Sequence, residues 1–515
     1  MSTLQQIVRN TVTGWGAVFF RTAIALVMVP FLLHHLGREG YGFAGLLMAL
    51  IGMIEIADLG LRQALGRELS EQVARRDQAA FNELLSTSCL LYVSVALAFV
   101  AGMWLAAPWL IRVMQVPDSI AMDAVLALRL YASPAILMSF MAPLFSAALT
   151  SINRFDLVNS IQIAAGLLGS LALFVVIPRS GNPIGGWMVV MLAQQALALV
   201  LLASSFRRQC VGAALAPRHV RPARLRPLFH LGGYMYALQL SQNLSERSDP
   251  FVVSYFFGPA GIALYHPGGR MSQMLRPVVL TMADQLYPMA TQEHVRNQTD
   301  RLRAILVLGT RYTFLLGILV VVGLFVFADP FCRLWLSASL GEDYRIAAYV
   351  MMGWAAVDFL VFAAGSQWSV LLGMRRLKFL VWTQLPSAAL NVIISIYLVG
   401  FTSLGIPGVL VATILIGLIR RPLLIWYTAR CAGLRMRDYL RLSYLRPAWC
   451  FIITLSAAFA ARFMIPIHGY SHLGAAAALV AAAWMTAAWF IGLEPNERAT
   501  LGAALRHRLE RRSAP

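Results

Sequence analysis

Charge is scarce in this 515-residue chain: 13% of its residues are charged, about half the share in a soluble protein. Acid is scarcer still, with 23 Asp and Glu against 42 Lys and Arg, and Lys378 is the single lysine. The five cysteines (Cys89, Cys210, Cys332, Cys431 and Cys450) include no C-x-x-C pair, which argues against a disulfide framework or a thiolate metal site. No phosphate-cradling P-loop is present, so the chain hydrolyses no ATP, and neither H-E-x-x-H nor a Cys/His cluster offers a catalytic metal. Loops long enough to house a glycan polymerase or ligase site are also missing. What abounds is apolar surface, at 59% hydrophobic residues. That content excludes disorder and is more than soluble domains of ordinary size can hide. The net charge of +19 would suit a nucleic-acid binder only if the basic residues shared a polar surface; here they sit between apolar blocks. The reading is an all-α polytopic membrane protein, not an enzyme, with no cofactor and no nucleic-acid partner.

A span needs about 20 mostly apolar residues at about 1.5 Å each. On that measure 14 spans begin near Thr11, Tyr41, Glu83, Ala121, Asp156, Pro183, Leu228, Pro259, Ala304, Ile346, Phe379, Ile406, Pro447 and Leu473. The first carries Arg21 in its middle and lacks a small-residue cleavage site, so it reads as a span rather than a signal peptide. Spans 1–6 occupy residues 1–206, a basic loop residues 207–227, spans 7–12 residues 228–430, spans 13–14 residues 431–493, and a basic tail residues 494–515. Loops on the side of the termini hold 28 basic residues and those on the other side 5, which predicts both termini in the cytoplasm. The five tail arginines are expected on the anionic inner leaflet.

The chain repeats itself. Gly37-Arg38-Glu39-Gly40 follows span 1, and Gly258-Pro259-Ala260-Gly261 follows span 7, 221 positions on. Asn153-Arg154-Phe155 meets Arg375-Arg376-Leu377 at 222, as Ile184 and Gly186 meet Ile406 and Gly408. Spans 1–6 and 7–12 therefore read as two equally oriented six-helix units, because six is even; spans 13–14 stand outside the repeat.

A charge at the centre of a span costs about 2.5–3.5 kcal/mol on insertion scales, so it needs a partner or a wet cavity. Arg21 and Arg270 lie near the midplane, roughly 15 Å deep, and Arg129 and Arg311 roughly 11–12 Å in; Asp358 is the one acid at that depth. These four arginines are the candidate cationic lining. Glu55, Asp58 and Arg62 share a face of span 2, while Gln239, Gln242, Glu246 and Asp249 form a stripe on span 7 that is too polar for lipid. Glu55, Asp58, Glu246, Asp249 and Asp358 are the candidates for ion coupling or gating. At an offset of 221 Arg21 meets Gln242, so the frame repeats while the charge does not. His266-Pro267-Gly268-Gly269 predicts a break in span 8, and Pro134 and Pro143 predict one in span 4. Arg462 is expected to snorkel to an interface; for Arg276, snorkelling and cavity lining stand level.

Leu36-Gly37-Arg38-Glu39-Gly40-Tyr41-Gly42, followed by Asp58-Leu59-Gly60-Leu61-Arg62-Gln63-Ala64-Leu65, resembles the opening of bacterial polysaccharide flippases. These form a branch of the multidrug/oligosaccharidyl-lipid/polysaccharide exporter superfamily. Phe257-Gly258-x-x-Gly261, Tyr265 and Phe331-x-x-Leu334-Trp335 look like that family's second half, and the resemblance spans essentially the whole chain. It implies a V-shaped transporter of two parallel six-helix repeats plus two C-terminal helices in the bacterial inner membrane. Its implied cargo is an undecaprenyl-pyrophosphate-linked oligosaccharide, flipped to the periplasmic leaflet for O-antigen, capsule or exopolysaccharide synthesis. An Arg-rich lining fits, because pyrophosphate accepts bidentate hydrogen bonds from guanidinium. Coupling to an H+ or Na+ gradient or to membrane potential, and polysaccharide assembly proteins as partners, are also implied. His266-Pro267-Gly268-Gly269 departs from the family, which more often has small residues without Pro there. The alternatives are a peptidoglycan lipid-precursor flippase, and a drug/cation antiporter, which calls for an acidic midplane and usually stops at 12 spans.

Overall fold

Backbone amides in lipid have no water to bond, so each apolar run must satisfy them internally as helix. The computed structural model describes residues 3–54, 61–495, 497 and 498, and no strand occurs among them. In chain order the helices are α1 (Thr3–Ile54), α2 (Leu61–Arg75), α3 (Gln78–Val113), α4 (Asp118–Leu126), α5 (Ala132–Ser151), α6 (Phe155–Val176) and α7 (Pro183–Gln209). Then come α8 (Leu225–Arg247), α9 (Asp249–Asp284), α10 (Leu286–Val295), α11 (Thr299–Val326), α12 (Ala328–Leu340), α13 (Tyr344–Ala363) and α14 (Gly365–Gly373). The last are α15 (Leu377–Phe401), α16 (Gly408–Cys431), α17 (Met436–Ser443), α18 (Leu445–Met464) and α19 (Tyr470–Ala487). Ten helical stretches among the described residues are long and apolar enough to cross a membrane. The four other expected spans fall on α1, to either side of Gly37, on α8 and on α9.

The repeat is written in the backbone. Gly37 (φ 69°, ψ 176°) and Gly258 (φ 64°, ψ −172°) are the non-helical residues inside α1 and α9. That region of backbone space is essentially closed to any residue with a Cβ. Three further pairs of left-handed residues recur at 221 or 222: Arg76 with Asn297, Asn153 with Arg375, and Gly212 with Gly433. Each of these pairs ends a helix, so the two copies stop their helices in the same way while their side chains differ.

The expected break at His266–Gly269 is not there. Residues 259–284 are helical, and α9 departs from helical geometry at Gly258 instead. The glycines serve close packing: a Cβ on Gly268 would lie 2.4 Å from the Ala347 carbonyl oxygen, and one on Gly269 2.7 Å from Trp354 Nε1. Span 4 does not break either: Asp118–Ser151 is one helical stretch whose register shifts through a π-turn at Ala127–Tyr131, three residues ahead of Pro134, and Pro143 lies within α5.

Packing divides the chain into two compact units, one from Met1–His266 with Val381–Val409, the other from Pro267–Leu380 with Leu410–Pro515. The division falls inside α9 rather than in the 207–227 loop. In the first unit the two glycine motifs meet. A Cβ on Gly42 would lie 1.7 Å from the Pro259 carbonyl oxygen, and one on Gly45 3.2 Å from Ile262 Cγ2. In the second unit α18 and α19 pack on α11 through Leu315, Ile318, Val322, Ala458, Ala461, Ala476 and Val480.

The 207–227 loop is clamped to α3. Asn82, Ser86 and Thr87 accept hydrogen bonds from the amides of Ala214 (3.0 Å), Ala216 (3.3 Å) and Arg221 (2.9 Å), and Arg224 donates to Glu83 (3.1 Å). Arg218, which His219 follows, is nonetheless exposed, so the loop offers trypsin a cleavable arginine on a pinned backbone. Asn82→Ala removes the bonds to Gly212 and Ala214 and is expected to speed limited trypsin cleavage between Arg207 and Arg224 several-fold. Equal cleavage rates would show that the clamp does not hold the loop in solution.

Candidate functional site

The membrane arginines separate into those whose charge the protein itself matches and those whose charge it does not. Arg276 belongs to the first group. On the buried face of α9 its Nε lies 2.7 Å from Asp358 Oδ1 of α13, with the guanidinium 5.1 Å from the Trp354 ring centre. Ser272 Oγ, one turn earlier, donates to the other carboxylate oxygen at 2.6 Å. Asp358 is wholly buried and Arg276 nearly so, with 14% of its side chain exposed. The two lie 82 positions apart, and spacing within one helix carries no sign of the pairing.

Arg311 is a correction to the expected cationic lining. Its side chain is 2% exposed, with Nη2 3.0 Å from Glu494 and Nη1 3.2 Å from Glu497. The Leu442 carbonyl accepts from Nη2 at 2.8 Å and from Nε at 3.1 Å. Both carboxylates come from the segment after the last span, which the sequence reading placed in a basic tail. Arg311 is therefore a structural cation that ties the chain's end to α11. The same region carries Trp484 Nε1 donating to the Leu315 carbonyl (2.9 Å) and Arg446 Nη1 to Leu493 (3.2 Å). Arg462 likewise has partners, donating to the Val326 carbonyl (2.6 Å) and facing Asp329 at 3.4 Å.

Arg270 stands in the second group. It has neither an ion pair nor a hydrogen bond among the described residues. It is half-buried and heads a face formed with Gln273, Pro277, Thr281 and Asp284, all exposed at spacings of three and four. The residues opposite, among them Met271, Ser272, Val279 and Ala283, are buried. Amide, hydroxyl and guanidinium groups on an exposed helix face at membrane depth call for water or a polar ligand rather than acyl chains.

Among the described residues Arg129 also lacks an ion pair, and its Nε is buried with no hydrogen-bond partner. Its surroundings differ, because its exposed neighbours Met122, Leu126 and Leu130 are apolar. The structure thus keeps Arg129 off a polar face. Arg21 lies on α1, but its side chain is outside the described part of the structure, as is that of Glu246 on α8; Glu55 and Asp58 lie outside the described residues.

The expected stripe on span 7 holds in part. Gln239 and Gln242 are exposed on α8 and Asn243 is half-buried. Asp249 leaves it, since α8 ends at Arg247 and Asp249 opens α9, where it is 1% exposed and accepts from Tyr265 Oη at 2.8 Å. Arg247 lies against Gly52 of α1, close enough that a Cβ there would collide with Nη1. No cluster of three or more His, Cys, Asp and Glu that could hold a metal ion occurs among the described residues.

A chain that is all helical among its described residues, with ten stretches long and apolar enough to cross a membrane, and with Arg270 unpaired among those residues on a polar face, is a multi-pass membrane protein. Comparison with known proteins agrees. The family of polysaccharide biosynthesis proteins matches residues 35–345, and the chain belongs to that family. A relative in Bacillus subtilis (strain 168), called the uncharacterized membrane protein EpsK, is 22% identical over 92% of this chain and 93% of its own length. A putative O-antigen transporter of Shigella flexneri is 21% identical over 68% of this chain and 81% of its own. Among solved structures, an inward-facing multidrug resistance MATE family transporter superposes with a TM-score of 0.70 at 16% identity, covering 80% of this chain and 94% of that one. The lipid II flippase MurJ in an inward closed conformation gives 0.69 at 15% identity, covering 93% and 98%.

Proposed function

We propose that the protein flips an undecaprenyl-pyrophosphate-linked oligosaccharide from the cytoplasmic to the periplasmic leaflet of the bacterial inner membrane by alternating access, with both termini in the cytoplasm. The observation that carries the reading is Arg270, an uncompensated guanidinium on the exposed polar face of α9. A half-buried cation at membrane depth without a carboxylate is costly at rest and is relieved by an anionic ligand. Pyrophosphate is such a ligand, and its polyprenyl tail never has to leave the lipid. Arg21 is proposed as a second contact on the same chemical ground. The family, and relatives named for O-antigen and lipid II transport, support a lipid-linked sugar as the cargo class. Energy is proposed to come from an H+ or Na+ gradient or from membrane potential, with Asp358 and Asp249 as the described carboxylates available to couple it.

Arg270→Ala is expected to cut oligosaccharide flipping in proteoliposomes at least tenfold at unchanged membrane level, since a charged hydrogen bond is worth about 1.5–3 kcal/mol. Arg270→Lys should retain part of the activity. Full flipping by Arg270→Ala would remove the residue from the proposal. The alternative cargo, the peptidoglycan lipid precursor, draws on the superposition with the lipid II flippase over 93% of this chain. Gene depletion separates the two: lysis favours that cargo, whereas viable cells without surface polysaccharide favour the first.

A further inference from the structure

The second uncompensated arginine is built into its place with more care than a snorkelling residue needs. Arg129 sits inside the π-turn Ala127–Tyr131, which shifts the helix register just before Pro134. Ser133 Oγ donates to the Arg129 carbonyl, close to a proline that has no N–H to give. The same Ser133 Oγ accepts from Trp104 Nε1 of α3 at 2.8 Å, which fixes the indole. The Arg129 guanidinium then lies over that indole, its carbon 5.6 Å from the ring centre. Backbone, hydroxyl, indole and guanidinium form one closed chain of contacts, all within the first unit.

That chain of contacts holds a cation at an apolar surface. Met122 is 74% exposed, Leu126 46% and Leu130 61% on the same side of the span, and Leu105 is 84% exposed on α3. In a membrane-spanning chain those side chains meet acyl tails. Trp104 and Trp109, at 44% and 62% exposed, are of the residue type that collects beside the lipid head groups, a level that the stem of an arginine deeper in a span can reach. Among the described residues no carboxylate pairs with Arg129, and its Nε is a buried donor without an acceptor. The anion that a lipid surface brings to this level is phosphate, and guanidinium matches phosphate in charge and in its forked donors.

We propose that Arg129, held against Trp104 by Ser133, is a lipid-phosphate binding site on the membrane-facing surface of the first unit. The bound group is the phosphate of a membrane phospholipid or of a polyprenyl phosphate. The indole face presets the guanidinium plane, so little rotamer freedom is lost on binding. The site is separate from the polar face that carries Arg270, and its test does not depend on the cargo.

Retention of lipid by the purified full-length protein reads the site directly. In native mass spectrometry with added phosphatidylglycerol, wild type is expected to retain one more lipid than Arg129→Gln. Titration should show affinity at that site about ten- to hundredfold weaker in the variant, the range expected for a charged hydrogen bond. Trp104→Leu should weaken it less, and retention of diacylglycerol, which carries no phosphate, should be equal in all three. A parallel titration with a polyprenyl phosphate identifies the source: the lipid whose retention falls in Arg129→Gln is the ligand. Arg129→Gln removes the charge while leaving a polar amide in its place, and its melting temperature shows whether it is folded. Equal retention of both phosphate lipids by wild type and a folded Arg129→Gln overturns the assignment.

Discussion

Alanine at Gly42 is expected to unfold the first unit, whereas alanine at Gly66 is expected to leave it intact or to stabilise it slightly. The two substitutions add the same methyl group to glycines on helices of the same unit. At Gly42 the methyl carbon would lie 1.7 Å from the carbonyl oxygen of Pro259 and 2.5 Å from its carbonyl carbon. Those are backbone atoms at the start of a span, so relief requires moving α9 against α1 rather than turning a side chain. Overpacking of a tight contact costs about 1–3 kcal/mol and more where backbone must move. At Gly66 nothing lies within 4 Å of the added carbon, and an alanine in an open helix position gains up to about 1 kcal/mol over glycine. Thermal unfolding in detergent, followed by fluorescence-detected size exclusion, distinguishes the two. A Gly42→Ala protein as stable as wild type would mean that the two motifs do not meet in the folded chain.

Replacing Arg311 by Met is expected to destabilise the second unit by about 3–5 kcal/mol, because it strands two carboxylates beside an apolar side chain. Glu494 keeps 39% of its side chain exposed and Glu497 16%, which sets the effect toward the lower figure. The sign of the rescue is the sharper prediction. Adding Glu494→Gln and Glu497→Gln to Arg311→Met should recover much of the lost stability, since removing a whole ionic cluster is far cheaper than removing half. The same pair of Gln substitutions in the wild-type background should destabilise the protein by leaving Arg311 unmatched. A folded, stable Arg311→Met protein that has lost flipping would return Arg311 to the transport surface.

These two residues show which parts of the molecule can be read before it folds. The glycine motifs are visible as motifs because their chemistry is local: Gly37 and Gly258 hold backbone angles that other residues resist, and that demand leaves glycine at one spacing. Span number is legible for the same reason, since hydropathy is a property of each segment alone. Partner choice is not local. Arg311 looks like Arg270 along the chain, and what separates them is Glu494, 183 positions away, and Glu497, 186 away. The match between Arg276 and Asp358 was hidden in the same way. His266–Gly269 misleads for a related reason: Pro and Gly suggest a break, while the neighbouring Trp354 and Ala347 make the glycines a packing requirement. The polar residues Gln239 and Gln242 were readable as exposed, but Asp249 was not readable as buried, because α8 stops at Arg247 and a new helix begins at Asp249 itself.

The two units are interleaved along the chain, and synthesis runs in one direction. The first unit takes in Val381–Val409, yet the ribosome makes the intervening Pro267–Leu380 first. At about 5–20 residues per second that insertion takes on the order of ten seconds. For that interval the first unit sits in the bilayer without α15, and the side of Phe256 that will receive Gly400 is left bare. Lipid or an insertion chaperone has to occupy that face and then give it up. Truncations ending at residue 380 should therefore be poor folders although they contain ten of the expected spans, and a nascent chain is most exposed to proteolysis during that wait.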